Sequence, residues 1–200
     1  MSTLDLTTPT ITLRPAHRDE ARLVGAFFQI ASDGMANHTW ARLAEPDESL
    51  LDVAERRFQR ENVDFSYHNA RFAVIDGRIA GMVHAYPMLD PIPSPGELAA
   101  MDPVLRPLAE LDIPGSYYIA ALAVDPARRG RGIGATLLQA AEARGRAQGY
   151  RLASLVVFSS NTGAHRLYQR LGYREADRRA LIQSEHFRLH GEALMLVKTL

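Results

Sequence analysis

Apolar residues recur along the chain with two periods, one typical of helices and one typical of strands. Four segments have the helical period and are predicted to be helices: residues 16–31, 46–62, 133–148 and 162–171. Between the first two, residues 33–46 carry the breakers Gly34 and Pro46 and are predicted to form a loop. The helical segments are spread over the whole chain, so the strands must lie between them.

Strand patterns fill most of the remaining chain. Alternation or a continuous apolar run predicts strands at residues 10–14, 71–75, 78–86, 116–124, 152–158, 173–182 and 192–198. Asp76-Gly77 is a tight-turn signal that joins two of them as a hairpin. The runs 116–124 and 152–158 are apolar throughout and flank a helix, as in a buried β-α-β unit. The order predicts a mixed α/β architecture.

Residues 87–115 differ from the rest of the chain. Seven prolines lie there, at positions 87, 91, 93, 95, 103, 107 and 114. Proline removes a backbone donor and clashes with a helix interior, so this segment is not continuous regular structure, although a short helix within 97–100 or 105–111 fits the pattern. We interpret it as an insertion that covers one end of the sheet, and such long loops often bind ligands.

The composition of the chain excludes several classes of function. The chain has 23 basic and 23 acidic residues, so no general basic field attracts nucleic acid, and Arg56, Arg57 and Arg60 are interpreted as a solvated helix face. The absence of cysteine excludes disulfides and thiolate chemistry. We see no secretory signal and no apolar run of the ~20 residues that span a bilayer, which predicts a cytoplasmic protein without membrane contact. His186 and His190 lack a third ligand, so no metal site is predicted.

The most informative segment is residues 123–134, where a predicted buried strand ends and a helix begins around three glycines and three arginines. Glycine lets the main chain approach a ligand closely, and the N-terminus of a helix presents free N–H groups and positive dipole charge. This combination favours a pyrophosphate site. A P-loop would need a Gly-Lys-Ser/Thr ending, and the Gly130, Gly132, Gly134 spacing differs from the dinucleotide fingerprint.

Two motifs resemble the GNAT superfamily of N-acetyltransferases. Its acetyl-coenzyme A motif, Gln/Arg-x-x-Gly-x-Gly/Ala, is met by Arg129, Gly132 and Gly134. Its second motif places an Asn after the fifth strand, followed by Ala, Tyr and Gly-Phe/Tyr. Those places are taken by Asn161, Ala164, Tyr168, Gly172 and Tyr173. The resemblance covers roughly residues 116–175, and the flanks agree only in the order of elements.

Together with a length of 200 residues, which suits one compact domain, the resemblance predicts a single acetyltransferase domain over residues 1–200. Its fold class would be α/β (α+β), with a mixed, mostly antiparallel sheet of six to seven strands, helices on both faces, and central parallel strands 116–124 and 152–158 that splay apart. Acetyl-coenzyme A would be the cosubstrate, without a metal. Its predicted contacts are Leu122, Val124, Arg129, Gly130, Arg131, Gly132, Ile133, Gly134 and Asn161. Tyr168 would be the general acid that protonates the departing thiolate.

The residue that takes the proton from the attacking amine stays open. The fourth predicted strand has no acid, although some members of the superfamily carry a Glu there. His84, Glu97 and Asp102 are candidates, and each also has a plain structural interpretation, as a bonded strand residue or a solvated acid. A substrate that arrives deprotonated needs no dedicated base.

The predicted activity is transfer of an acetyl group from acetyl-coenzyme A to a primary amine by direct attack. A non-catalytic acyl-coenzyme A sensor or regulatory subunit is the alternative, and a longer acyl donor is a third. The acceptor is a small molecule or a peptide, and residues 36–46 and 87–115 are expected to line its site. Members of the superfamily often dimerise, so a homodimer is one expected assembly.

Overall fold

The computed structural model describes residues 10–186 and 190–200. Seven strands form one sheet in the order β1-β2-β3-β4-β5-β7-β6. The strands are β1 Thr12–Pro15, β2 Ala70–Ile75, β3 Arg78–Pro87, β4 Tyr117–Val124, β5 Leu152–Phe158, β6 Arg174–Ala180 and β7 Glu192–Thr199. All neighbouring strands are antiparallel except β4 and β5. The predicted fold class, a mostly antiparallel sheet of six to seven strands, is confirmed.

Helices lie against both faces of this sheet. They are α1 Ala21–Ala31, α2 Met35–Ala41, α3 Leu50–Phe58, α4 Pro95–Ala100, α5 Arg106–Ala109, α6 Ile133–Ala147 and α7 Thr162–Arg170. On one face, buried residues of α6 such as Leu137 and Leu138 pack with Tyr168 of α7. On the other, Val24 of α1 and Val53 of α3 lie in a second core. Among the described residues, no helix has the length and apolar character needed to cross a bilayer.

The central parallel strands separate soon after they meet. The register of β4 with β5 contains only Tyr117 opposite Ala153 and Tyr118 opposite Ser154, although β4 continues to Val124. Beyond Tyr118 the edge of β4 that faces β5 therefore has no strand partner. Backbone N–H and C=O groups left unpaired at such an edge can bind an extended ligand. The predicted splay of the central strands is confirmed.

The prediction of a loop at residues 33–46 was wrong, because this segment contains helix α2. Gly34, with φ 86°, turns the chain sharply before the helix. Helix α2 then buries Met35, Ala36 and Trp40, so tertiary packing stabilises a seven-residue helix that has no strong local signal. The following helix is shorter than predicted, since α3 begins only after Ser49, whose hydroxyl accepts from Asp52 N.

The proline-rich insertion is folded against the sheet. It contains both short helices that the sequence allowed, α4 and α5. Val104 and Leu111 are buried in a third core with Phe158 and Met195 of the neighbouring strands. This burial removes apolar surface from water and holds the insertion against one face of β5 and β7.

Candidate active site

Two cavities lie along one face of β4. Residues of this strand alternate between buried and half-buried, and the half-buried set is Tyr118, Ala120, Leu122 and Val124. Because side chains alternate along a strand, these four share one face. Leu122 and Val124 line a cavity of about 920 Å³, here called the loop cavity. Tyr118 and Ala120 line a cavity of about 470 Å³, called the aromatic cavity. Ligands in the two cavities would therefore meet on this face.

The glycine-arginine loop forms one wall of the loop cavity. Gly130 and Gly132 have φ of 77° and 79°, a conformation that side chains with a Cβ rarely adopt. A Cβ added to either would meet no atom within 4 Å, so the space in front of the loop is open. Gly132 is also the residue before α6 and, having no side chain, does not cap the first N–H groups of that helix. These donors and the dipole of α6 remain free for an anion.

Arginines give the loop cavity a positive field. Arg128, Arg129, Arg166 and Arg170 line it, and Asp33 is the acid among its described lining residues. The side chain of Arg128 also lies 3.6 Å from Asp125. Sequence reasoning missed Arg166 and Arg170, although their spacing of four residues places both on one side of α7. A cavity with this charge suits a ligand that carries several phosphates.

The structure brings most of the predicted site residues together. The loop cavity is lined by Leu122, Val124, Arg129, Gly130, Gly132, Ile133, Gly134, Asn161 and Tyr168. Arg131 differs, because it is exposed and does not belong to the wall of this cavity. Gly134 lies inside α6, where an added Cβ would come within 3.3 Å of Leu167, so its small size lets α6 and α7 approach.

Asn161 holds two elements in place. Its Oδ1 accepts from the N–H of Ala164 at 3.1 Å and so caps α7. Its Nδ2 donates to Asp33 Oδ2 at 3.2 Å, which connects α7 to the turn between α1 and α2. Both polar ends of the amide are therefore engaged in this structure. The predicted contact of Asn161 with a cosubstrate remains a prediction.

Tyr168 lies at the bottom of the loop cavity. Its side chain is 6% exposed, and its hydroxyl makes no hydrogen bond to any residue in the described part of the chain. Burial, followed by the charge of Asp33, raises the pKa of Tyr168. The phenol therefore keeps its proton at any working pH and can donate it. The Tyr118 phenol is close enough to have its own pKa raised by burial, by Asp112 and by Tyr168.

The aromatic cavity is built from rings. Phe28, Trp40, Phe58, Phe65, Tyr86 and Tyr118 line it. The rings are in contact across the wall, for example Tyr86 with Tyr118 at 5.7 Å between centroids. Both segments expected at the acceptor site contribute, with Ala36 and Trp40 from α2 and Leu105, Leu108 and Asp112 from the insertion. This cavity can hold an apolar or cationic body beside the loop cavity.

The three candidate bases lie outside both walls. Glu97 caps α4, where its carboxylate accepts from Ser94 N at 2.8 Å. Asp102 forms a hydrogen bond with His38 Nε2 at 2.7 Å and fixes α2 to the insertion. His84 is fully buried and its Nε2 donates to the Ser66 carbonyl at 3.1 Å. Each of these groups supports the fold. His84 agrees with its interpretation as a bonded strand residue, whereas Asp102 is not a solvated acid, because its side chain is only 13% exposed.

We expect His84 to make the free energy of unfolding pH-dependent. Burial lowers the pKa of His84 to about 4 from its ordinary 6.5. Between these two pKa values the unfolded chain binds a proton at His84 and the folded protein does not. The contribution of neutral His84 to the free energy of unfolding is therefore fully present above pH 6.5 and is lost as pH falls toward 4. The loss is roughly 3 kcal/mol. Urea unfolding across this range measures it.

The matched variants are His84→Gln and His68→Gln. Glutamine at position 84 can still donate to the Ser66 carbonyl but does not bind a proton in this pH range. The free energy of unfolding of this variant should therefore change less with pH than that of the wild type. His68 is exposed, and its replacement should leave the slope unchanged. Equal slopes in the wild type and His84→Gln would contradict this assignment.

The histidines considered as metal ligands do not form a cluster with other ligands. His186 and His190 are both exposed. Among residues 10–186 and 190–200, no group of three His, Cys, Asp or Glu side chains is placed to hold a metal ion. The ring of His186 instead lies 5.9 Å from that of His38.

Several solved structures have a similar fold. The chain aligns with a mosquito arylalkylamine N-acetyltransferase like 5b at 22% identity and a TM-score of 0.65, covering 96% of this chain and 100% of that one. It aligns with a Drosophila melanogaster polyamine N-acetyltransferase at 22% identity and a TM-score of 0.62, with the same coverage. An N-acetyltransferase from Staphylococcus aureus Mu50 aligns at 18% and 0.65, covering 94% and 100%. At these identities the likeness is one of fold.

Sequence comparison identifies the family. A search of curated protein sequences finds no match. The model of the acetyltransferase (GNAT) family matches residues 33–173, which include both motifs, the splayed strands and most of the two cavities. The chain therefore belongs to the acetyltransferase (GNAT) family and is an acetyltransferase.

Proposed function

We propose that this protein, as one domain, transfers the acetyl group of acetyl-coenzyme A to a small primary amine. The observation that carries the proposal is the shared face of β4. Tyr118 and Ala120 on that face line the aromatic cavity, and Leu122 and Val124 line the loop cavity. A thioester in one cavity and an amine in the other are held next to each other, which removes most of the entropy cost of their encounter.

The loop cavity fits the phosphorylated cosubstrate in charge and shape. Arg128 and Arg129, the glycines at 130 and 132, and the first N–H groups of α6 are the proposed pyrophosphate ligands. The unpaired edge of β4 beyond Tyr118 is the proposed partner for the amides of the pantetheine arm. Arg166 and Arg170, on the opposite wall, add charge for the remaining phosphate.

In the proposed reaction the neutral amine nitrogen attacks the thioester carbonyl. A C–N bond forms, the C–S bond breaks, and the sulfur leaves as a thiolate. Tyr168 donates its phenolic proton to that sulfur, and the proton released by the new amide nitrogen restores the phenol through solvent. The raised pKa of Tyr168 keeps the proton available until the thiolate forms. Products are the N-acetylated amine and free coenzyme A.

The structural relatives support a small amine as acceptor. The mosquito protein is named for arylalkylamines and the Drosophila protein for polyamines. The aromatic cavity has the size and the rings to hold the body of such a molecule.

Calorimetric titration with acetyl-coenzyme A tests the cosubstrate, and thiol release in the presence of a panel of primary amines tests the reaction. Binding together with amine-dependent thiol release supports the proposal. Absence of binding by the folded protein overturns it. Binding without thiol release from any amine would favour a non-catalytic acyl-coenzyme A sensor instead.

A further inference from the structure

We propose that the acidic end of the aromatic cavity binds a second cationic group on the acceptor, so that the preferred substrate is a diamine. This inference rests on the proposed function and names its acceptor class. The second cation would be held by Asp64, Asp90, Asp112 and the hydroxyl of Tyr86, all of which line the aromatic cavity. The other amine would then point toward the loop cavity.

The three carboxylates have no cationic partner among the described residues. Asp64, Asp90 and Asp112 form neither an ion pair nor a side-chain hydrogen bond with any residue in 10–186 or 190–200. Many other acids of the chain are paired, as Glu20 is with Arg14 at 2.6 Å. Like charges that converge on one cavity without compensation raise its negative potential and attract a cationic ligand.

The negative charge of Asp90 raises the pKa values of the other two carboxylates. Burial, followed by the charge of Asp90, raises the pKa of Asp112 to about 6. The same two causes raise the pKa of Asp64. At pH 8 Asp112 is ionised, and a cation beside it would relieve the repulsion that ionisation creates.

Tyr86 gives an independent indication of a ligand. Its side chain is 5% exposed and lies in the wall of the aromatic cavity. Its hydroxyl has no hydrogen-bond partner within the described part of the chain. The Tyr173 hydroxyl is sealed from solvent, whereas that of Tyr86 is not. A nearly buried hydroxyl that opens on a cavity can accept a hydrogen bond from an ammonium group.

The strand register puts this acidic end away from the loop cavity. Tyr86 lies opposite Tyr118, and β3 ends at Pro87 opposite Tyr117. Asp90 follows β3 and Asp112 precedes β4, so both come from the end of β4 opposite to Leu122 and Val124. From Tyr118 to Ala120 the strand advances roughly 7 Å. An extended four- or five-carbon diamine spans such a distance, so it can lie along this face with one nitrogen directed toward the acids and the other toward the loop cavity.

Arg57 is the cation in the described wall of the aromatic cavity. The prediction that it belongs to a solvated face was wrong, because it is half-buried and its guanidinium lies 5.8 Å from the centre of the Phe65 ring. Burial, followed by Arg60 and Arg56, lowers its pKa. Three acids against one arginine leave the cavity negative, which favours a distal ammonium over a distal carboxylate.

The experiment compares three acceptors of equal length at pH 8: 1,4-diaminobutane, butylamine and 4-aminobutanoate. With acetyl-coenzyme A as donor, kcat/KM for the diamine should exceed both others about tenfold or more. Asp112→Asn and Asp90→Asn should each reduce that ratio, and the double variant should bring it near unity. Asp76→Asn removes one negative charge in the β2–β3 turn, outside the cavity, and should keep the wild-type ratio.

The affinity for acetyl-coenzyme A, measured separately, should be equal in all these proteins. Equal kcat/KM for diamine and monoamine, a preference for 4-aminobutanoate, or a ratio that survives the double variant would overturn the inference. If no amine is acetylated, the proposed function fails by itself. Calorimetric binding of 1,4-diaminobutane, lost in the double variant, would then still support the cation site, and no binding to the wild type would overturn it.

Discussion

Replacing Tyr168 with Phe is expected to lower kcat about 100-fold or more, because a positioned general acid contributes roughly that factor to the rate of the step in which it donates a proton. The phenol is buried at the bottom of the loop cavity and holds its proton, and the substitution removes only the hydroxyl. The ring contact with Tyr173, 5.9 Å between centroids, is kept. Steady-state kinetics with a reactive amine measure kcat, and calorimetry measures the Kd for acetyl-coenzyme A.

The control for this prediction is Tyr150→Phe. Tyr150 is half-buried and lies outside both cavities, with its ring 5.8 Å from Tyr117. It should retain wild-type kcat, and both variants should bind acetyl-coenzyme A with the wild-type Kd. A Tyr168→Phe enzyme with undiminished kcat would remove Tyr168 from the mechanism. A loss confined to Kd would make it a binding residue.

The second large effect is expected from Gly132→Glu, which should weaken binding of acetyl-coenzyme A about 100-fold or more. The carboxylate would stand before the first N–H groups of α6, where the pyrophosphate is proposed to bind, and would repel it. The residue would also be held at φ 79°, which costs roughly 1 kcal/mol for a side chain with a Cβ. Calorimetric titration measures the affinity, and thermal unfolding measures the strain.

Gly149→Glu separates strain from binding. Gly149 lies just after the other end of α6 with φ 87°, and an added Cβ there also meets nothing within 4 Å. Both variants carry the same backbone strain and the same charge, but Gly149 is not part of the loop cavity. Gly149→Glu should bind acetyl-coenzyme A normally. Equal affinities in the two variants would contradict a pyrophosphate site at Gly132.

Local signals predicted the elements that form the proposed cosubstrate site. The apolar runs of β4 and β5, the glycines before α6 and the amphipathic pattern of α6 all act within a few residues, so their effect can be seen without the fold. Helix α2 could not be predicted in this way. Its seven residues are stabilised by burying Trp40 and Met35 against other elements, which are distant in sequence.

The proposed acceptor site could be predicted less well from the sequence, because its residues come together only in the tertiary structure. Asp64 precedes β2, Asp90 follows β3 and Asp112 precedes β4, so no spacing in the sequence connects them. The strand register brings these three segments to one cavity, where burial raises the pKa of Asp112. The same packing places Arg57 in the wall of this cavity, although the sequence predicted a solvated helix face for it.

Two motifs of the sequence implied the family and the splay of the central strands through their resemblance to the GNAT superfamily. The sequence by itself also predicted the loop before α6, because glycine conformation, helix ends and strand periodicity are short-range properties. It placed Tyr168 through a motif within a single strand-helix unit. Only the tertiary structure decided that Arg131 lies outside the loop cavity and that His84 is buried and hydrogen-bonded in the core. It also decided that Asp64, Asp90 and Asp112 line the same cavity. Exposure and the meeting of distant side chains depend on long-range packing, which local patterns do not encode.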